Sequence, residues 1–268
     1  LAVTKVLVIP TYQEAENIER LLRTVREVEP SLDILVVDDD SPDGTGDIAE
    51  KVAVELDRVE VLHRPGKAGL GAAYRHGFRH ALDAGHSVVV QMDADFSHDP
   101  AVLPLLLAEL DAGAEVAVGS RYVPGGSVPN WTWARRSLSK WGNGYARSML
   151  RLRFNDATTA FRAYRADVLE RIDIDGTTAN GYLFQIETAY RISACGAKVA
   201  EVPITFVDRV AGSSKMAVVR TMVETELRVT WWGMAMRAPA LTDRFRSTPP
   251  GRLLSSRVRP TGPPRSDV

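Results

Sequence analysis

Short runs of apolar residues alternate along the first 120 positions with longer stretches whose apolar residues recur every three or four places. The runs at 5–9, 32–37, 59–63, 87–92 and 115–119 are rich in Val, Ile and Leu and too short for helices. They read as buried strands. Between them, 14–28 places Ile18, Leu21, Leu22 and Val25 on one helical face. Helices are likewise expected at 47–56, 69–84 and 101–112. The punctuation agrees. Pro10 closes the first strand, Ser41-Pro42-Asp43-Gly44-Thr45 is a turn with a helix start in it, and a Gly-rich entry opens 69–84. Strands alternating with helices predict an α/β fold with a mostly parallel sheet and right-handed crossovers.

Beyond residue 120 the pattern changes. A helix rich in Trp and Arg is expected at 130–154, a strand at 161–164, and helices at 166–171 and 183–194. A strand at 198–207 runs into Asp208-Arg209, and 218–236 reads as a further amphipathic helix. From Ala238 the chain holds six prolines, six arginines and few large apolar residues, so 238–268 reads as a disordered tail.

In a parallel sheet, the loops at the carboxyl ends of strands converge on one crevice. Four such loops carry chemistry: Pro10-Thr11-Tyr12-Gln13-Glu14, Asp38-Asp39-Asp40-Ser41, Asp93-Ala94-Asp95 and Gly119-Ser120-Arg121-Tyr122. Asp93 and Asp95 stand two residues apart, so both carboxylates can face one ligand. Two hard oxygen donors suit Mg2+ or Mn2+ held together with a substrate diphosphate. Taken alone, the same loop reads equally as a solvated cap before the helix start at Asp99-Pro100. Pro10, Tyr12 and Asp39 can wall and read a nucleotide base. Glu14 suits ribose hydroxyls, and Asp93, Asp95 and Arg121 suit a diphosphate.

The motifs P-T-Y-Q-E, V-V-D-D-D-S-P-D-G-T, G-L-G-A-A-Y-R-H-G, M-D-A-D-F-S-H-D-P and G-S-R-Y together resemble family 2 glycosyltransferases of the GT-A (Rossmann-like) fold. Within them the closest resemblance is to polyprenol-phosphate (dolichol-phosphate) mannose synthases, from about residue 5 to 237. The resemblance implies a catalytic domain over 1–237, with membrane-interface helices at 130–154 and 218–237. It implies that Pro10, Tyr12, Glu14, Val37 and Asp39 hold the GDP moiety, and that Asp93, Ala94 and Asp95 form the nucleotide- and metal-binding DXD. Ser97 stands near the metal where many relatives have Gln; its shorter reach favours a bridging water. Arg121 matches an arginine that approaches the phosphates, and Arg135 lies on the helix that meets the lipid phosphate. Arg209 and Lys215, in D-R-V-A-G-S-S-K, match basic residues of a loop closing over the site. The D-P-x-S-G-F segment of relatives is Asp156-Ala157-Thr158-Thr159-Ala160-Phe161 here, without its Pro and Gly.

The implied reaction is inverting transfer of mannose from GDP-mannose to a polyprenyl monophosphate. Asp95, Arg121, Arg135, Arg209 and Lys215 carry the charge control, and Mg2+ or Mn2+ is the cofactor. Trp131, Trp133 and Trp141 lie beside Arg135, Arg136, Lys140, Arg147 and Arg151. That mix suits a helix at a lipid surface, as do Trp231, Trp232, Met234 and Met236. No apolar run reaches the roughly 18–20 residues of a spanning helix, and Lys5 leads into a strand rather than a signal-peptide core. A peripheral position on the cytoplasmic face of a membrane is expected, with a membrane-protein partner or a fused membrane domain.

Bulk composition narrows the alternatives. A net charge of −1 does not suit a polyanion binder, and basic residues of the tail alone make nucleic acid a weak prospect. The single cysteine, Cys195, excludes a disulfide framework and a cysteine zinc site. His63, His76, His80 and His86 show no ligand spacing, and His98, beside the DXD, reads as a helix-start or packing residue. Three rivals keep the fold: a UDP-glucose-dependent enzyme with the same acceptor, a polysaccharide synthase, and a non-catalytic nucleotide-sugar-binding subunit. The second lacks its expected Q-x-x-R-W motif and spanning helices; the third is disfavoured by the intact Asp93/Asp95 pair.

Overall fold

The computed structural model describes residues 3–208 and 225–234. The chain runs β1 (Lys5–Thr11), α1 (Ile18–Val28), β2 (Asp33–Asp38), α2 (Thr45–Glu55), β3 (Val59–His63), α3 (Leu70–Asp83), β4 (Val88–Gln91) and α4 (Leu103–Asp111). It continues through β5 (Val116–Ser120), α5 (Trp133–Leu150), β6 (Arg162–Arg165), α6 (Ala166–Arg171), α7 (Tyr182–Ala194) and β7 (Val199–Pro203). One sheet takes the order β3-β2-β1-β4-β6-β5-β7. All pairings are parallel except those of β6, which runs antiparallel to both β4 and β5.

Strand alternation divides the core in two. Leu7, Ile9, Ile34, Val36 and Val90 pack with α1, α2 and α4 on one face. Val6, Val8, Leu35, Val37 and Val89 pack with α3, α5, α6 and α7 on the other. Helix α3 approaches the sheet unusually closely. A Cβ on Gly77 would lie 2.5 Å from Val8 Cγ1, and one on Gly71 would lie 2.5 Å from the Ala179 carbonyl oxygen. The glycines of the G-L-G-A-A-Y-R-H-G motif are therefore packing residues that seat this helix.

The differences from the sequence expectation lie at boundaries. Helix α1 starts at Ile18 rather than 14, because residues 14–17 form a turn in which the Glu14 carbonyl accepts from the Asn17 and Ile18 N–H groups. Helix α5 spans 133–150 rather than 130–154. The Thr132 side chain caps it by accepting from the Arg135 N–H, and Arg151 ends it in the left-handed region. Strand β7 stops at Pro203 instead of 207. A helical segment at 225–234 covers part of the expected 218–236. Arg209, Lys215, Met236 and the tail at 238–268 lie outside the described residues. No helix among the described residues is long and apolar enough to cross a membrane.

Candidate active site

The parallel register of β1, β2 and β4 brings their carboxyl ends to one edge. Pro10 and Thr11 end β1, Asp38 ends β2, and Asp93-Ala94-Asp95 follows β4. Asp38 binds this edge together: its Oδ1 accepts from Thr11 Oγ1 (2.9 Å) and Ser41 Oγ (2.6 Å). The 13–15 segment is pinned by the neighbouring turn. Gln13 N–H donates to Ser41 Oγ, Glu14 N–H to Thr45 Oγ1 and Ala15 N–H to Asp43 Oδ2. Tyr12 keeps a half-buried ring with Lys67 Nζ 3.8 Å above its centroid. Asp39 is buried (4% exposed) and paired with Arg64, which follows β3. Val37 differs from the expectation of a nucleotide contact. Its side chain is wholly buried and packs toward Gly77, leaving it no exposed surface.

The DXD is braced from below. Tyr74 of α3 donates its phenol O–H to Asp93 Oδ1 at 2.7 Å. Burial, and then the Asp93 charge, hold the Tyr74 pKa well above its ordinary value, so the phenol keeps its proton. Ser97 N–H donates to Asp95 Oδ1 at 3.0 Å, in a turn where Phe96 adopts φ +56°. The Ser97 side chain is buried, with Oγ 3.4 Å from His98 Nδ1. His98 packs between Phe161 and Phe206, at 5.2 and 5.5 Å between ring centroids. Burial lowers its pKa to about 4 despite the nearby Asp95 charge, so it is neutral near pH 7. This is the packing role read from the sequence.

The donor set suits a hard divalent ion. Asp93 and Asp95 offer carboxylate oxygens, and no group of three or more His, Cys, Asp or Glu among the described residues could hold a metal by itself. Such a site fits Mg2+ or Mn2+, ions that complete their shells with waters and substrate phosphate oxygens.

The arginines lie further along the edge, and the structure engages both described ones internally. Arg121, just after β5, was expected at the phosphates. Its side chain is 3% exposed, and its Nε and Nη2 donate to Asp156 Oδ2 and Oδ1, both at 2.7 Å. Nη2 also donates to Thr158 Oγ1 at 2.5 Å. The rings of Tyr122, Trp131 and Phe206 surround the guanidinium at 5.3–5.6 Å. Burial alone works against the charge on Arg121, but Asp156 outweighs it and raises the pKa. In this arrangement Arg121 anchors the 156–158 loop. Arg135, expected at a lipid phosphate, is half exposed and forms a two-pronged pair with Asp208, Nη1 to Oδ2 at 2.5 Å and Nη2 to Oδ1 at 2.9 Å. Trp131 Nε1 donates to the same carboxylate at 2.9 Å. Trp131 itself is buried, so it is no part of a lipid-facing surface. Trp232 likewise stacks on Tyr190, 6.2 Å between centroids.

Residues 6–173 match the model of glycosyl transferase family 2. The chain belongs to this family. The glycosyltransferase is 49% identical over 232 residues to a polyprenol monophosphomannose synthase of Mycolicibacterium smegmatis, covering 86% of this chain and 87% of that one. It is 47% identical over 238 residues to an undecaprenyl-phosphate mannosyltransferase of Micrococcus luteus, covering 89% and 97%. Among solved structures, a glucosyl-3-phosphoglycerate synthase from Mycobacterium tuberculosis with Mn2+ and UDP superimposes at TM-score 0.61. It is 18% identical and covers 88% of this chain and 80% of its own. A mannosyltransferase from Pyrobaculum calidifontis with GDP-Man and Mn2+ gives 0.56 at 20% identity, covering 94% and 78%. These likenesses establish the GT-A fold.

Several residues that build the glycosyltransferase's edge were not singled out from sequence: Tyr74, Arg64, Lys67, and Asp208 as a partner of Arg135. Tyr74 and Lys67 lie in or beside the Gly-rich motif, which read as a helix entry and as part of the family resemblance, with no role assigned to either residue. Arg64 sits one residue past a strand end, the same kind of position that marked the other loops.

Proposed function

We propose that this glycosyltransferase transfers mannose from GDP-mannose to a polyprenyl monophosphate with inversion, giving a β-linked polyprenyl-phosphate mannose. The observation that carries this reading is the identity of 47–49%, over most of both lengths, to two relatives whose names place mannose on polyprenyl carriers. The geometry supports it. Tyr12, Glu14, Asp39 and Arg64 line the end where a guanosine would sit. Asp93 and Asp95, with Ser97 close by, would hold Mg2+ or Mn2+, whose charge offsets that developing on the departing GDP.

The acceptor oxygen of a phosphate monoester is already anionic near pH 7, so no strong general base is needed. The chain's task is placement and charge control. Arg121 and Asp156 fix the loop beside the transfer position. Arg135 offers a half-exposed guanidinium to the acceptor phosphate in exchange for Asp208, and Arg209 and Lys215 would add to that charge. The test is transfer of radiolabelled mannose from GDP-mannose into organic-extractable lipid, with polyprenyl phosphate, detergent and Mg2+ or Mn2+. UDP-glucose serves as the parallel donor. Metal-dependent label from GDP-mannose alone is expected, as a β-linked product. Label from UDP-glucose alone, or an α-linked product, would sink the reading.

The acceptor is a lipid, and α5 presents a surface for it. Trp133 is 81% exposed, Trp141 55% and Leu138 47%. At about 100° per residue these three fall within roughly a 140° arc, away from the core-facing Asn143, Ala146 and Leu150. Arg136, Lys140 and Arg147 border that arc, where they can meet anionic headgroups. We read α5 as a helix that rests on the cytoplasmic face of the membrane, with a partner or fused membrane domain providing stable residence. Replacing Trp133 and Trp141 together with Ser is expected to cut binding to anionic lipid vesicles by about tenfold in a sedimentation assay. Transfer to a short, water-soluble polyprenyl phosphate should stay near wild type. Unchanged vesicle binding would remove α5 from the interface.

A further inference from the structure

The G-L-G-A-A-Y-R-H-G motif packs α3 against β1 and β2, and its central tyrosine is the residue this close approach delivers to the site. Tyr74 is fully buried (0% exposed). Its ring lies parallel to Phe184 at 5.8 Å between centroids and tilts against Phe78 at 5.6 Å. Burial and these aromatic contacts leave the ring little freedom. A buried hydroxyl needs a partner. Here the partner is the first carboxylate of the DXD, reached at 2.7 Å.

We propose that Tyr74 is a positioning residue for the divalent cation and diphosphate, fixing the orientation of the Asp93 carboxylate through this hydrogen bond. The inference rests on the metal-site reading given above. A carboxylate in a strand-end loop turns about two single bonds, and each orientation presents different lone pairs to a cation. A donor on a clamped ring selects one of them before the cation arrives. Partners of this kind commonly change metal affinity by about 10–100-fold when removed. Asp95 is braced differently, by the Ser97 backbone N–H, so of the two carboxylates it is Asp93 that a side-chain substitution at Tyr74 addresses.

The interior supplies its own control. Tyr164, of β6, is also fully buried and also donates its hydroxyl, but to the neutral Gln91 Oε1 at 2.8 Å. Gln91 in turn donates to Gln185 Oε1. Loss of the Tyr164 hydroxyl removes a buried hydrogen bond of similar length while leaving the Tyr74–Asp93 bond in place; Gln91, which also meets the Tyr74 hydroxyl, stands between the two tyrosines. A merely structural role for Tyr74 predicts that the two losses have the same effect on the site.

The experiment is titration of the full-length protein with Mn2+ in the presence of GDP and, in parallel, UDP, following free Mn2+ by electron paramagnetic resonance. Tyr74→Phe keeps the ring and its stacking. It should weaken Mn2+ binding by about tenfold or more, while Tyr164→Phe binds as wild type does. Wild-type affinity in Tyr74→Phe, or equal weakening in both variants, would overturn the proposal. Failure of the wild-type protein to bind Mn2+ with either nucleotide would overturn the metal-site reading, and this inference with it. A second readout needs no loss of the hydroxyl. With 3-fluorotyrosine installed only at position 74, the fluorine resonance should move as Mg2+ and GDP are added and saturate with their binding. A resonance indifferent to both would count against the proposal.

Discussion

Replacing Asp95 with Ala is expected to lower mannose transfer by about a thousandfold, corresponding to about 4 kcal/mol of lost transition-state stabilisation. In the proposed reaction two phosphate-bearing substrates would meet at this edge, and the charge leaving with GDP would need a counter-charge held by the acidic pair. Asp95→Asn separates shape from charge. It keeps a side-chain oxygen for the Ser97 N–H, now accepted at 3.0 Å, but lacks the negative charge that favours a divalent ion. It should therefore fall nearly as far as Ala. The organic-extraction assay reads both variants, with circular dichroism to establish that they are folded. Activity within tenfold of wild type in either variant would mean that the ion is not held here.

Asp156→Ala is expected to be the most destabilising single change considered, at about 3–5 kcal/mol, because it strands the Arg121 charge in the interior. Asp156 is fully buried, and Arg121 keeps 3% side-chain exposure. Removing both charges, as in Arg121→Met with Asp156→Leu, should cost less than Asp156→Ala alone, since no buried ion is then left without a partner. Urea denaturation midpoints give the order. The pair also sets an acid limit. Burial opposes the Asp156 charge, but Arg121 overcomes it and lowers the folded-state pKa below the ordinary 3.8. As pH falls, the unfolded chain takes up this proton first. The contribution is therefore complete above the unfolded carboxylate value and is lost as pH falls through the folded one. Wild-type stability should show this loss below about pH 4, and the double variant should lack it.

The position of the acidic loops was legible because strand ends are marked in the sequence by a change from apolar to acidic residues. Asp38-Asp39-Asp40 and Asp93-Ala94-Asp95 announce themselves in this way, and a parallel sheet then places them together. The surroundings of the arginines and tryptophans were less legible for two physical reasons. Arg121 and Arg135 are cations whose partners, Asp156 and Asp208, lie 35 and 73 residues away. No local periodicity encodes such pairings. Nor does hydropathy distinguish Trp131, buried against Phe206, from Trp133, which is 81% exposed two residues later. The start of α5 separates them, and boundaries are set by capping and tertiary contact more than by composition. Tyr74 was missed for a related reason: a tyrosine on an apolar helix face looks like core until its hydroxyl's partner is known.

The antiparallel β6 between β4 and β5 has a consequence for synthesis. The ribosome delivers β5 at 116–120, yet both strands that flank it, β6 at 162–165 and β7 at 199–203, emerge later. Until then β4 has one open edge and β5 has two. The nascent chain thus carries unpaired strands while α5, with its exposed tryptophans, is being made, a condition that favours misassociation. Truncations ending between 120 and 160 should aggregate rather than accumulate as a smaller nucleotide-binding module, and the native sheet should form only after β7 has emerged.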